Sequence, residues 1–342
     1  MTHPERRRLL ARAGGVAMLL AGRSRAAAPV VPAAQVVPAD VPFQFGFIGD
    51  TPYSRLEENA LREVLEALSA QPVAFVLHAG DFKSRFEHCD DELIARRLAL
   101  LDRCVHPLIL TPGDNDWTDC SDSPAAWQPG GRLERLDRLR REAFGSPRSL
   151  GRNPMPLEQQ APYEPPESRK PILPENLRWR VGSLQFCTLH VVGSDNAPRN
   201  TPQLSQAWSL RQEANGAWLQ ETVQLARRQR EQGLVKGLAI ALHANMRFES
   251  DRADGWQQMR QLIIAAAVAF NGPVLLLHGD THHFRADRLL MRSHGIANFH
   301  RVECFGSPFS SSWVQMRWDP SLARPGVDAT VNPFQVSIRS LP

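Results

Sequence analysis

The residues able to do chemistry in this chain recur at one kind of place, the end of an apolar run. Phe75-Val76-Leu77-His78-Ala79 leads into Gly80-Asp81, 43–48 into Gly49-Asp50, 107–112 into Gly113-Asp114, and 273–278 into Gly279-Asp280-Thr281-His282. Runs this rich in aliphatic residues read as buried parallel strands. Gly80 lets the backbone turn sharply, so Asp81 projects from the carboxyl end of its strand, where open α/β sheets place their ligands. Laid side by side, the strands bring carboxylates and histidines to one rim. Hard and borderline donors gathered in this way make a metal site.

The elements that must position these residues alternate along the chain. After the first strand, Ser54-Arg55-Leu56-Glu57 has the form of a capping box, and Leu61, Val64, Leu65 and Leu68 keep helical spacing. Helices over 90–103 and 133–144 flank a strand over 107–110, and this order implies a mainly parallel sheet with crossover helices. A proline-rich excursion over 145–176 breaks the pattern, either as a functional lid or as a solvated linker. Runs at 177–181 and 184–189 flank Gly182-Ser183 as a hairpin, followed by a helix over 212–230, a strand over 234–242, a helix over 254–270 and the strand at 273–278. Short runs at 297–305, 313–318 and 334–338 are expected as antiparallel additions. The fold class is α/β, its two halves pointing to two sheets packed face to face.

Five blocks then stand in order: Asp50 in Gly-Asp-Thr-Pro-Tyr, Asp81 in Gly-Asp-Phe-Lys-Ser, Gly113-Asp114-Asn115-Asp116, His243 in Leu-His-Ala-Asn, and Gly279-Asp280-Thr281-His282. Their order resembles that of the calcineurin-like metallophosphoesterases, whose blocks run Asp-x-His, Gly-Asp, Gly-Asn-His, a lone His after a strand, and Gly-His-x-His. One Gly-Asp alone caps many turns. The resemblance spans roughly 43–284. It implies an αββα sandwich of two mixed β-sheets flanked by helices, with the domain covering 43–342. It also implies two divalent ions (Fe, Mn or Zn) and hydrolysis of a phosphate monoester or diester by a metal-bridging hydroxide. By the same resemblance Asp81 would bridge the ions and Asp50 and His282 would fall to one of them. A residue of the third block, His243 and Asp280 would fall to the other.

The chain departs from the family pattern at named positions. Pro52 stands where the first block has a second ligand, and Tyr53 is either its replacement as a phenolate or a packing residue. In the third block Asp114 aligns with the family's Asn and Asn115 with its catalytic His; asparagine donates a hydrogen bond but delivers no proton. A shift of one residue would instead make Asn115 the ligand and set Asp116 beside the leaving group as the acid. Asp280 exchanges one metal ligand for another. His283 is placed to bind substrate or to face water, while His78, His190 and His278 read as hydrogen-bonded supports. Lys83 and Arg85 suit phosphate oxygens or solvent, and Arg138, Arg140 and Arg141 read as a solvated face. The rival reading is a non-catalytic exported protein that binds a metal or other ligand on the same fold. A dinucleotide binder lacks support, because the first strand leads into Gly49-Asp50-Thr51-Pro52 without a Gly-rich turn.

Residues 1–28 have a basic head with Arg6-Arg7-Arg8, a short apolar middle and the small residues Ala26-Ala27-Ala28, the form of a twin-arginine export signal. A lead-in follows over 29–42, and the mature chain is expected in the periplasm or secreted. Removing six arginines and one glutamate with that signal turns a formal net charge of +4 into −1, so no nucleic-acid partner follows from the basic pI. Nor is stable membrane insertion expected once the signal is gone; the partner is a small phosphate ester. Of five cysteines, Cys89 and Cys120 each follow shortly after a Gly-Asp strand end and form the candidate disulfide in an oxidising compartment, whereas Cys187 and Cys304 read as buried thiols.

Overall fold

Three of the four strands that carry Gly-Asp ends pair in one sheet so that those ends lie level, whereas the run at 273–278 lies in a second sheet. The computed structural model describes residues 37–120, 131–160, 173–250, 252–323, 328 and 331–341. The export-signal expectation therefore lies outside the described residues, as does most of the lead-in. β1 (Phe43–Ile48) is followed by helix α1 (Arg55–Ser69), β2 (Val73–His78), α2 (Asp91–Leu101), β3 (Leu108–Leu110) and α3 (Gly131–Ala143). The three strands are parallel, with Ile48 opposite His78 and His78 opposite Leu110, so Asp50, Asp81 and Asp114 leave the sheet at the same edge. Ser54 caps α1 by accepting the Glu57 N–H at 3.2 Å, and the Glu57 carboxylate reaches back to the Tyr53 N–H at 2.8 Å.

The second half contains β4 (Glu158–Gln159), β5 (Leu177–Val181), β6 (Leu184–Thr188), α4 (Pro202–Glu231), β7 (Gly237–Ala241), α5 (Gln257–Phe270) and β8 (Val274–His278). It closes with β9 (Arg285–Asp287), α6 (Leu289–His294), β10 (Phe299–Glu303), β11 (Ser312–Trp318) and β12 (Phe334–Ser340). Two mixed sheets result, of order β12-β11-β1-β2-β3 and β4-β5-β6-β7-β8-β10-β9. Between them lies an aromatic core in which Phe45 stacks on Phe75 at 4.9 Å and Trp179 on Phe186 at 5.0 Å. Along β7 and β8, Ala239, Ala241, Leu275 and Leu277 face this core, while Leu238, Ile240, Val274 and Leu276 pack with residues of α4 and α5. Burial on both faces is why these strands lack polar alternation.

Several expectations need correction. The helix expected at 212–230 begins at Pro202, where Thr201 caps it by accepting the Leu204 N–H at 3.2 Å. β10 runs parallel to β8 inside the second sheet, whereas β11 and β12 are the expected antiparallel additions. The described parts of the 145–176 excursion pack onto the body: Leu150 bridges to Leu108, β4 pairs with β5, and Leu157 and Leu173 are buried. Residues 161–172 of it lie outside the described residues. Arg140 does not belong to a solvated face; it pairs with buried Glu175 at 2.8 Å.

Cys89 and Cys120 form a disulfide with a Cα–Cα distance of 5.6 Å, joining the loops after β2 and β3. Cys104, Cys187 and Cys304 are buried thiols.

Three histidines buried in different parts of the fold, His78 at the end of β2, His190 just after β6 and His300 in β10, make it labile to acid. Burial pushes His78, His190 and His300 from 6.5 down to about 4, so each stays neutral in the folded protein at pH values where the unfolded chain takes up a proton. Their contribution is complete above pH 6.5 and is lost as the pH falls towards 4, on the order of 3 kcal/mol for each ring. Calorimetric Tm should therefore drop between those pH values. His300→Phe, at a ring that packs edge-on to Phe334, should flatten that slope; an unchanged slope would contradict the assignment.

Candidate metal centre

The carboxyl edge of the first sheet meets that of the second, and nearly all the polar residues singled out above collect there. Asp50 and Asp81 sit just past β1 and β2 with φ of 51° and 56°, left-handed conformations that are uncommon for residues other than glycine. Asp280 and His282, past β8, also have positive φ of 83° and 64°. Four such residues along one edge mark a functional site, since the surrounding structure must hold them there.

Two groups of donors emerge. Asp50, Asp81 and His243 bring one ligand atom each within 4.8 Å of one another, and so do Asp114, His243 and Asp280. His243 Nε2 is 2.9 Å from Asp114 Oδ1, 3.6 Å from Asp81 Oδ1 and 3.9 Å from Asp280 Oδ1. Its Nδ1 donates to the Ala79 carbonyl at 2.7 Å, which fixes the ring and leaves Nε2 to face the carboxylates. His282 is oriented in the same manner, with Nδ1 against the Ser307 carbonyl at 2.7 Å and Nε2 directed at Asp50 Oδ1, 3.6 Å away.

Tyr53 joins the first group. Its hydroxyl donates to Asp81 Oδ2 at 2.9 Å, lies 3.3 Å from His282 Nε2, and accepts from Asn115 Nδ2 at 3.0 Å. The phenol thus lies between Asp81 and His282, where it could supply a ligand that Pro52 cannot. Burial and the adjacent Asp81 and Asp50 carboxylates raise its pKa far above the ordinary value, so only a strong local cation would make it a phenolate.

The third block resolves as follows. Asp114 closes on His243 and Asp280, and Asn115 points the other way towards Tyr53. The shifted alignment fails: Asp116 is buried beneath the loop, where its carboxylate accepts the N–H groups of Asp81 and Phe82 at 3.0 Å and of Gly113 at 2.8 Å. It shapes the loop and does not face a leaving group. His283 is exposed, tied to its own turn through the Thr281 carbonyl at 2.5 Å, and has no bond to the cluster among the described residues. Lys83 is also corrected: fully buried, it donates to the carbonyls of Ser84 and Asn115 at 2.8 Å and reaches neither solvent nor the cluster. Arg85 is mostly exposed, 4.0 Å from Asp119. His78 and His278 bond the carbonyls of Thr51 and Gly279, and His190 bonds Glu175, as supports do.

The electrostatics are those of an overfilled anionic pocket. Burial pushes Asp50 up to about 8 and Asp280 up to about 6, and it holds Asp81 well above the carboxylate range. Burial also opposes a charge on His243, but Asp81, Asp114 and Asp50 together outweigh it and raise that histidine. Four carboxylates around one imidazole share protons when nothing else neutralises them, and divalent cations fit such a donor set of oxygen and nitrogen. Asp50, Asp81, His282 and Tyr53 would hold one ion, and Asp114, His243 and Asp280 the other, with Asp81 lying between.

Two supporting features escaped the sequence reading. Ser194 donates to Asp114 Oδ2 at 2.6 Å, and the Asn245 N–H holds Asp280 Oδ2 at 2.8 Å. Gly193 packs against both carboxylates, so closely that a Cβ there would overlap Asp114 Oδ1 and lie 2.7 Å from Asp280 Oδ1. The available signal was Gly193-Ser194-Asp195-Asn196 directly after the apolar run 189–192, one more glycine at a strand end.

A family model described as Calcineurin-like phosphoesterase matches residues 43–284. No curated protein matches the chain significantly. Among solved structures the chain is similar to GAP50, the anchor in the inner membrane complex of Plasmodium, at 10% identity, with 87% of this chain and 84% of that one covered and a TM-score of 0.51. It is also similar to a dimetal phosphatase from Danio rerio at 13% identity, with 82% and 92% covered and a TM-score of 0.46. Identities this low speak to the fold alone.

Proposed function

The chain belongs to the calcineurin-like phosphoesterase family, and from that premise we propose that it is a metal-dependent phosphoesterase acting on a phosphate monoester or diester. One observation carries the reading. Two sets of donors, Asp50 with Asp81 and Asp114 with His243 and Asp280, stand side by side, and the Asp81 carboxylate, 3.6 Å from His243 Nε2, lies where a pair of divalent ions needs a bridging oxygen ligand. When bound, such ions activate water and neutralise charge on a phosphoryl group.

The chain's own residues set the remaining terms. His243 and His282 have one ring nitrogen fixed by a carbonyl, so the other enters the site already oriented. Asn115 Nδ2 stands beside Tyr53 as a donor for a phosphoryl oxygen, but it has no proton to give a departing alkoxide. With Asp116 turned inward and His283 in solvent, neither candidate acid is placed to protonate a leaving group. Esters of acidic alcohols, aryl phosphates above all, should therefore react fastest.

The test is turnover of phenyl phosphate and bis(4-nitrophenyl) phosphate with added Mn, Zn or Fe. Turnover of either, removed by chelator, supports the reading; none with any metal favours the non-catalytic binder, which the missing acid also fits. We also propose export to an oxidising compartment, supported by the signal-like residues 1–28 and by the Cys89–Cys120 disulfide. Among the described residues no helix is long and apolar enough to cross a membrane.

A further inference from the structure

Beside the second donor group opens a cleft of about 680 Å3, lined among others by Asn245, Asp280, Thr281, Trp208 and Arg247. That volume suits a small-molecule moiety. Its wall is built with care. Ser194, Asp195 and Asn196 stand in succession at φ of 51°, 56° and 60°, a left-handed turn without glycine that needs outside support. Support comes from the Gly255 N–H on Asp195 Oδ1 at 2.7 Å and from Asn196 Nδ2 on the Gly255 carbonyl at 3.1 Å. The same turn sends Ser194 to Asp114, so the wall and the metal centre are one construction.

Three carboxylates and three guanidinium groups line the cleft, and once Asp280 is given to the second donor group two arginines are left over. Arg199 is taken up by Asp195 at 2.5 Å, and Asp254 is taken up by Arg260 at 2.8 Å. Arg247 and Arg252 also line the cleft and form no ion pair within 4 Å among the described residues, although the Arg247 charge acts on Asp280 and its guanidinium lies over the Trp256 ring at 5.8 Å. Arg247 is held in place by its own backbone: at φ 50° its N–H donates to Asn245 Oδ1 at 3.1 Å, and Asn245 in turn holds Asp280. Trp208, with the Arg199 guanidinium 5.0 Å from its ring, has an indole N–H shielded from water and without an acceptor among the described residues.

We propose that this cleft is the leaving-group subsite and that it takes a leaving group bearing a second anion, a carboxylate or a phosphate, bound by Arg247 and Arg252 beside Trp208. The inference rests on the phosphoesterase reading, because it is the donor cluster that would hold the scissile phosphate at the cleft's mouth. Guanidinium groups recognise planar or tetrahedral oxyanions with charge-assisted bonds, and the Trp208 indole N–H, without an acceptor among the described residues, is a further donor.

Binding of non-hydrolysable phosphonates tests the subsite apart from turnover. With the Mn-loaded protein, 4-carboxyphenylphosphonate and 1,4-phenylenebisphosphonate should bind at least about tenfold more tightly than phenylphosphonate. The stronger of the two identifies the second anion as carboxylate or phosphate. In the Arg247→Gln/Arg252→Gln double variant, two exposed positions whose change spares the core, that ratio should fall to near one. Equal affinities in the wild type, or a preference that survives in the double variant, would overturn the subsite. A preference that behaves as expected in a protein unable to hydrolyse phenyl phosphate would overturn only the hydrolase reading.

Discussion

Asp81→Asn should lower kcat/KM on phenyl phosphate by about a thousandfold or more while leaving the metal-free protein within about 1 kcal/mol of the wild type. The side chain lies where both donor groups meet. One oxygen accepts the Asn115 N–H at 2.9 Å, the other accepts the Tyr53 hydroxyl at 2.9 Å, and His243 Nε2 is 3.6 Å away. An amide has the same shape but carries no charge, and it forfeits one of the two hydrogen bonds. Against that loss stands a relief: burial and the neighbouring Asp114, Asp116 and Asp50 already make a charge on Asp81 unfavourable. Stability and activity should thus separate. Chelator-treated Tm and steady-state rates on the same preparations check this, and retained activity, or a variant that fails by unfolding, would contradict it.

Gly193→Ala should remove about a hundredfold of activity through geometry alone. The added methyl group would overlap Asp114 Oδ1 and come within 2.7 Å of Asp280 Oδ1, and neither carboxylate is free to swing aside. Asp114 is held by Ser194 and His243, Asp280 by the Asn245 N–H. The second donor group must spread, whereas Asp50, Tyr53 and His282 are untouched. Elemental analysis of the variant should find about one ion fewer per chain than in the wild type. A full complement with unchanged turnover would show that the second group does not hold an ion.

How much of this was legible beforehand depended on range. Strands buried on both faces announce themselves as unbroken apolar runs, so β1, β2, β3 and β8 and the aspartates behind them stood out, and the order of the five blocks pointed to the family. What could not be read was direction and depth. β10 is a short run whose sequence is the same whether it pairs parallel or antiparallel; the α6 connection decides. Asp114, Asn115 and Asp116 are adjacent in sequence yet point to three different places, because the tight turn after Gly113 rotates successive side chains about the chain. Lys83 looked like a phosphate ligand because lysine is seldom buried, and two backbone carbonyls on neighbouring loops overrode that preference. The left-handed turn at 194–196 uses Asp195 and Asn196, which tolerate that region singly, but three such residues in succession are costly, and the tertiary bonds to Gly255 and Asp114 hold them there.

The most direct measurement is the metal content of the protein, purified without chelator and compared with Asp81→Asn prepared in parallel. Near two Fe, Mn or Zn ions per chain, falling below one in the variant, is the expected result for a centre in which Asp81 lies between two donor groups. No bound metal in the wild type, even after incubation with each ion, would contradict a dinuclear centre at this site.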